Sequence, residues 1–244
     1  MTTSSMESYP PLLSLAVHEF RTPASVVGGY LRMLQRDGDG LSERHRKMID
    51  EAEKSCARLV GLISELSEIG KLDSGALTLN RERVDVFALV AEVAEVVQEG
   101  RDREVRLEVR GEPSAEVIGD RARLRDAFSS VFRAILREKA GPALVVADRR
   151  RAAVDGANSA LVVIADEPGV QTAYERGRIV FDERRGGLGL ALPLARRVIE
   201  RTGGAIWSPA AAETPEHNAD AIVRGSAVVL LPTTSAGEPA RLTE

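Results

Sequence analysis

Leu15-Ala16-Val17-His18-Glu19-Phe20-Arg21-Thr22-Pro23 is the stretch on which the fold is read. Leu13, Val17, Phe20, Ala24, Val27, Leu31 and Leu34 step by four and three residues through it, the apolar seam of a helical bundle. His18 directly follows a seam residue, so its imidazole is expected on the flank of the bundle, facing solvent. A histidine held there is a nucleophile that another domain or protein can reach. Pro23 lacks the amide hydrogen that would bond the Glu19 carbonyl, which predicts a bend just past the histidine.

Residues from about 9 to 36 read as one long helix. Asp37-Gly38-Asp39-Gly40 is a turn, and Ser42 stands where it can cap a second helix. In that helix Met48, Ala52, Leu59, Leu62, Leu66 and Ile69 continue the seam. Two helices across a short turn form an antiparallel hairpin. A lone hairpin leaves its apolar faces half exposed, and pairing two hairpins into a four-helix bundle covers them. A homodimer is therefore expected, with closure by the rest of the same chain as the alternative. Cys56 is the only cysteine, which excludes an intrachain disulfide; its helical setting marks it as a small packing residue.

His18-Glu19-Phe20-Arg21-Thr22-Pro23 resembles the phosphoacceptor box of the sensor histidine kinases. Gly70-Lys71-Leu72-Asp73-Ser74-Gly75-Ala76-Leu77-Thr78-Leu79 resembles their link between a helical hairpin and an ATP-binding domain. The resemblance runs from about Leu12 to Pro232. It implies an α+β chain in which the hairpin forms a dimeric four-helix bundle. A two-layer α/β sandwich of the histidine kinase, gyrase and Hsp90 type follows. The expected organisation is a disordered 1–8, a dimerisation and phosphoacceptor hairpin at 9–75, a degenerate ATP-binding-like domain at 76–234 and a disordered tail at 235–244.

The residue pattern of the second part agrees with that order. Val84 to Val97 reads as a helix packed on a sheet, and Val105 to Val109 alternates like a strand. Val117-Ile118-Gly119 is a short strand. Asp120 to Glu138 is helical, with Leu124, Phe128, Val131, Phe132, Ile135 and Leu136 on one face. Residues 144–147 and 161–164 read as buried strands, and the basic, turn-rich run Asp148 to Ser159 as the loop between them. Leu188 to Thr202 is a further helix; residues 205–207 and 227–231 close the sheet around a polar insertion, Pro209 to Ala221.

Imidazole is largely neutral at pH 7 and can attack phosphorus when one ring nitrogen is free and the other is held. Glu19, next in sequence, can accept the remaining N–H. The resemblance gives Glu19 a general-base role, and gives Thr22, one turn on, the orienting of water when a partner is dephosphorylated. Arg21 is a candidate contact for phosphate or an acidic partner. His45, among Arg44, Arg46 and Lys47, is expected in solvent, and His217 in the polar insertion. Three scattered histidines give no metal-ligand spacing, and no metal site is expected.

The resemblance also implies four nucleotide motifs, and in each the residues depart from the pattern. Aligning the apolar face of the 120–138 helix puts Ser130 and Ala134 where the family has magnesium-binding asparagines, with the cation Arg133 adjacent. Asp166, followed by Pro168-Gly169, stands at the adenine-binding aspartate and lacks the first glycine. The segment between Val170 and Gly187, with Arg176, Arg178, Arg184, Arg185 and a possible anchor in Phe181, stands at the lid over the phosphates. Arg185-Gly186-Gly187-Leu188-Gly189 stands at the glycine-rich motif, with Arg185 in place of the first glycine. Asp166, Gly169, Gly187 and Gly189 remain the candidate nucleotide contacts. ATP and magnesium are the groups the resemblance implies, and the eroded motifs stand against their use, because metal neutralisation of developing charge is a large part of phosphoryl transfer.

Three functions stay open on this reading. One is a phosphotransfer protein that takes a phosphoryl group from one response-regulator aspartate onto His18 and gives it to another, without ATP. The second is a kinase that autophosphorylates His18 from ATP. The third is a pseudokinase that docks a response regulator or another histidine kinase. The net charge of −4 over 244 residues argues against nonspecific nucleic-acid binding. The absence of a long apolar run or signal-like N-terminus gives no membrane partner and a cytoplasmic expectation. With about a dozen residues ahead of Leu13, signal input is expected from a partner or from the second domain.

Overall fold

The computed structural model describes residues 9–36, 40–154, 156–210 and 225–234. The expectations for the termini, for the 37–39 turn and for most of the 209–221 insertion with His217 lie outside those residues. The chain divides into two compact units, Met1–Thr78 and Leu79–Glu244.

The first unit is a hairpin of α1 (Tyr9–Arg36) and α2 (Glu43–Asp73). Ser42 is extended, and its hydroxyl accepts the His45 amide at 3.3 Å, satisfying a donor that the first turn of α2 leaves unpaired. Helix α1 continues through Pro23. The contact between the helices is built by Val17, Ala24 and Ile63, with Val60 and Leu66 packed beside them. Cys56 is buried as expected, and its thiol donates to the Ala24 carbonyl at 3.1 Å. Half of the expected seam is not inside the hairpin. Phe20 is 59% exposed, and Val27, Leu34, Met48 and Leu59 are likewise exposed. One partner helix covers only one stripe of a helix surface, so the remaining apolar residues stay in water in a single chain.

The second unit holds β1 (Glu82–Asp85), α3 (Val86–Val96), β2 (Val105–Gly111), β3 (Glu116–Gly119), α4 (Arg121–Arg137), β4 (Ala143–Val154), β5 (Ala157–Asp166), α5 (Val170–Glu175), β6 (Arg178–Val180), α6 (Ala191–Arg201), β7 (Ala205–Pro209) and β8 (Ala227–Pro232). Six strands form one mixed sheet in the order β2-β4-β5-β8-β7-β6, while β1 and β3 pair apart from it. Only β2–β4 is parallel within the six.

Helices α3 and α4 begin on aspartate caps. Asp85 accepts the Ala88 amide, and Asp120 accepts the Arg123 amide, both at 3.1 Å. Burial works to raise the Asp85 pKa, but the amide hydrogen bonds it accepts at the start of α3 and from Ala115 hold it below the ordinary value. Phe87, Leu89, Leu124, Phe128, Phe132, Ile135, Leu192 and Ile199 from α3, α4 and α6 are all fully buried, which is the expected two-layer sandwich.

Three local expectations change. The basic run after Asp148 is strand, not loop. β4 and β5 pair out to Val154 and Ala157. The arginines are satisfied where they stand: Arg149 donates to the Phe87 carbonyl at 2.8 Å, and Arg150 stacks 4.1 Å over Tyr174 and pairs with Asp148 at 2.7 Å. Helix α6 starts three residues later than expected, after a 3-10 turn at Arg185–Gly187. The expected lid is largely regular structure. Helix α5 lies on the second face of the sheet, where Ala173 packs with Leu161, Val163, Trp207 and Val228, and β6 pairs with β7 as the edge strand.

Candidate functional site: the flank of the hairpin and the closed crevice

On α1, Val17 is turned into the hairpin and buried, while His18 one residue on has 77% of its side chain exposed. The 100° step between helical neighbours makes that switch. Glu19 Oε1 lies 3.6 Å from His18 Nδ1, which leaves Nε2 facing solvent. The Thr22 hydroxyl is 3.5 Å from the His18 carbonyl, a long contact that holds it loosely one turn away. Arg21, Thr22 and Pro23 are all exposed. Four of the expected residues, His18, Glu19, Arg21 and Thr22, therefore share one solvent-facing turn and a half.

The second cluster lies where α4, β5, β8 and the glycine-rich turn converge. Arg185, whose side chain is 2% exposed, reaches into the domain interior. Its guanidinium makes a two-pronged pair with Glu138, Nε to Oε1 and Nη2 to Oε2, both at 2.7 Å. Its Nη1 donates to the Ser226 carbonyl at 2.6 Å and to the Ser208 hydroxyl at 3.2 Å. Glu138 Oε2 also accepts the Gly225 amide at 2.6 Å. Burial pushes the Glu138 pKa up, but Arg185, with the Gly225 amide and Lys139, outweighs it, so the carboxyl titrates below its ordinary value. Beside this pair, Lys139 Nζ lies 2.7 Å from Asp166 Oδ1, an atom closed off from solvent. Phe181 is buried, with the Arg185 guanidinium 5.5 Å from its ring centre.

The glycines here serve packing. Gly186 has φ +63°, and a Cβ on it would sit 2.7 Å from the Ala134 Cα. A Cβ on Gly225 would fall on the Lys139 ammonium. Arg137 Nη1 donates to the Gly186 carbonyl at 3.3 Å, tying the glycine-rich turn to α4 a second time.

The residues at the expected motif positions do not fit a magnesium nucleotide. Ala134 has no ligand atom, and the Ser130 hydroxyl is turned back onto the Asp126 carbonyl at 2.9 Å. Among the described residues, no group of three or more His, Cys, Asp or Glu side chains is arranged to hold a metal ion. The half-exposed Asp166 carboxylate has Lys139 2.7 Å from Oδ1, and Arg185 turns its guanidinium from the glycine-rich turn into the interior.

Residues 12–75 match the His Kinase A (phospho-acceptor) domain. The chain is 28% identical over 200 residues, 78% of its own length, to the probable sensor histidine kinase TcrY of Mycobacterium tuberculosis, and covers 41% of that protein. It superimposes on full-length ShkA, solved in complex with AMPPNP, with a TM-score of 0.66 over 95% of this chain and 48% of that one, at 21% identity. It superimposes on the histidine kinase ThkA, solved in complex with the response regulator TrrA, with a TM-score of 0.54 over 96% of this chain and 64% of that one, at 17% identity. The hairpin is a phospho-acceptor domain, and the chain as a whole is similar to sensor histidine kinases.

The chain spans less than half the length of TcrY and of ShkA. Among the described residues, no helix is long and apolar enough to cross a membrane. Within the phospho-acceptor hairpin, the residues singled out from sequence come together on one surface. The four candidate nucleotide residues do not act as one group. Asp166 pairs with Lys139, Gly169 closes a 3-10 turn, and Gly187 and Gly189 have positive φ with open space around Gly187. Sequence reasoning missed Glu138, Lys139, Gly186 and Gly225. One signal was available. Arg185 stood out as a lost glycine, and a gained cation beside an apolar helix end calls for a buried anion such as Glu138.

Proposed function

We propose that this chain is a cytoplasmic two-component phosphotransfer protein. It carries a phosphoryl group on His18 and exchanges it with the aspartate of a response-regulator receiver domain, and ATP does not supply the phosphate. The observation that carries the reading is the exposed His18 imidazole, with Glu19 beside Nδ1 and Nε2 open, in a domain of phospho-acceptor type. In the transfer, Nε2 attacks the phosphorus of the aspartyl phosphate. The N–P bond forms, the P–O bond to the carboxyl breaks, and the carboxylate leaves. The Nδ1–H then faces Glu19, which stabilises the cationic phosphoimidazole. Arg21 contacts the phosphoryl group or the acidic rim of the receiver, and Thr22 orients water for hydrolysis. The chain acts as a homodimer through the exposed apolar residues of α1 and α2, and a receiver domain docks beside the histidine, as the ThkA–TrrA complex makes reasonable for this fold.

The second reading is autophosphorylation of His18 from ATP, favoured by the likeness to ShkA, whose structure contains a nucleotide analogue. The two separate in one experiment. The chain is incubated either with labelled ATP and magnesium or with a panel of receiver domains charged with labelled phosphate. Label arriving on the wild type from a receiver alone, and absent from His18→Ala, is the expected result. Label arriving from ATP alone replaces it with the kinase reading.

A further inference from the structure

We propose that the crevice at the end of the sheet is latched shut from within, so that ion pairs of the chain itself take the place of a bound nucleotide. Four charges alternate there: Arg185 with Glu138, and Lys139 with Asp166. They come from the residues that close α4, from the end of β5 and from the glycine-rich turn, and they sum to zero. Buried charges are tolerated when they are paired and their remaining donors are satisfied. Arg185 meets that condition, with Glu138, Ser208 and the Ser226 carbonyl around it.

The segment between Val170 and Gly187 is held by the same latch. Its strand β6 is zipped to β7, Phe181 is buried against Arg185, and Glu183 pairs with Arg196 at 3.1 Å. The Gly186 backbone lies against Ala134, so the glycine-rich turn rests on α4 where phosphates would have to enter. On this proposal a nucleotide enters at the cost of the buried Arg185–Glu138 pair and of the turn's seat on α4, with no metal ligand at Ala134 to offset it. The latch thus makes the closed form of this domain independent of ligand. It deepens the ATP-independent reading above and rests on it, since an ATP-driven kinase would have to open here.

Amide hydrogen exchange on the full chain tests the latch. In the wild type, residues 178–187 are expected to be protected without nucleotide, with rates unchanged by magnesium ATP. In an Arg185→Met/Glu138→Leu variant, both charges are removed so that neither is stranded. Amides of 178–187 are expected to exchange at least about tenfold faster in that variant while those of α4 stay protected. Exchange at unprotected rates in the wild type, slowing on addition of magnesium ATP, or an unchanged segment in the variant would each overturn the proposal. Label transfer from a charged receiver is read separately. An open segment with normal transfer sinks the latch alone, and a latched segment without transfer sinks the phosphotransfer reading alone.

Discussion

The two units of this chain spend their polar and apolar residues in opposite directions. In the hairpin, the chemistry faces outward and so does much of the hydrophobic surface: His18, Glu19 and Arg21 are in water, and so are Phe20, Val27 and Leu34. In the α/β unit the apolar residues of α3, α4 and α6 are covered, Arg185 points inward to pair with Glu138, and the half-exposed Asp166 pairs with Lys139. A surface built to be met by other molecules keeps its groups free. A buried interior has to satisfy its polar groups internally or lose stability, because an uncompensated buried charge is among the costliest defects a fold can hold.

The contrast breaks most sharply at Arg185. Replacing it with methionine removes one partner and leaves Glu138 largely buried, with the Gly225 amide as its remaining hydrogen-bond donor. The expected loss is about 3 kcal/mol in urea unfolding. Removing both partners, in Arg185→Met/Glu138→Leu, is expected to return stability to within about 1 kcal/mol of the wild type, since an apolar pair of similar volume is often neutral. A single variant as stable as the wild type would mean that the pair does not hold the crevice.

The next effect belongs to the other unit. Leu34→Glu puts a charge on the exposed apolar face of α1. If that face pairs with a second copy, the variant is expected to shift from dimer to monomer in light scattering at micromolar concentration. Its melting temperature should fall as well, because dimerisation stabilises by mass action. A wild type that is monomeric throughout would leave the apolar face to some other occupant and remove the four-helix bundle.

The sequence made the hairpin legible because its signals are local. Periodicity predicts α1, a serine in front of a charged run predicts the Ser42 cap, and the residue after Val17 has to face away from it. What periodicity could not tell was which seam residues meet inside one hairpin and which wait for a second, since Val17 and Phe20 carry the same pattern. In the α/β unit the strands and long helices were also readable. The run at Arg149–Arg151 was not, because three consecutive arginines look like a solvated loop until the Phe87 carbonyl, Asp148 and Tyr174 are placed around them. The Arg185–Glu138 pair joins residues 47 positions apart, and no spacing rule connects them.

A smaller effect, confined to the α/β unit, comes from pH. Unfolded, Glu138 titrates near the ordinary value of 4.5; folded, it titrates lower because Arg185 favours its anion. Its contribution is complete above that ordinary value and is lost as pH falls through the depressed one. Stability measured from pH 6 downward is therefore expected to drop more steeply in the wild type than in Arg185→Met/Glu138→Leu. Parallel curves would assign the acid loss to other carboxylates, such as the cap Asp85, whose pKa is also held low.

The smallest expected effect lies at Thr22. Its hydroxyl is exposed and only loosely held, 3.5 Å from the His18 carbonyl, so replacing it costs the fold almost nothing. If its task is to orient water toward a partner's phosphoryl group, Thr22→Ala should slow the draining of label from a charged receiver several-fold. Transfer onto His18, which needs only Nε2 and Glu19, should keep its rate. The two rates come from one time course quenched without acid, by following release of the label as inorganic phosphate and its arrival on the histidine. If both fall together, Thr22 supports the geometry of the α1 turn and takes no part in hydrolysis. If neither changes, the water is positioned by the receiver itself, and the outward-facing chemistry of the hairpin narrows to the imidazole and its carboxylate neighbour.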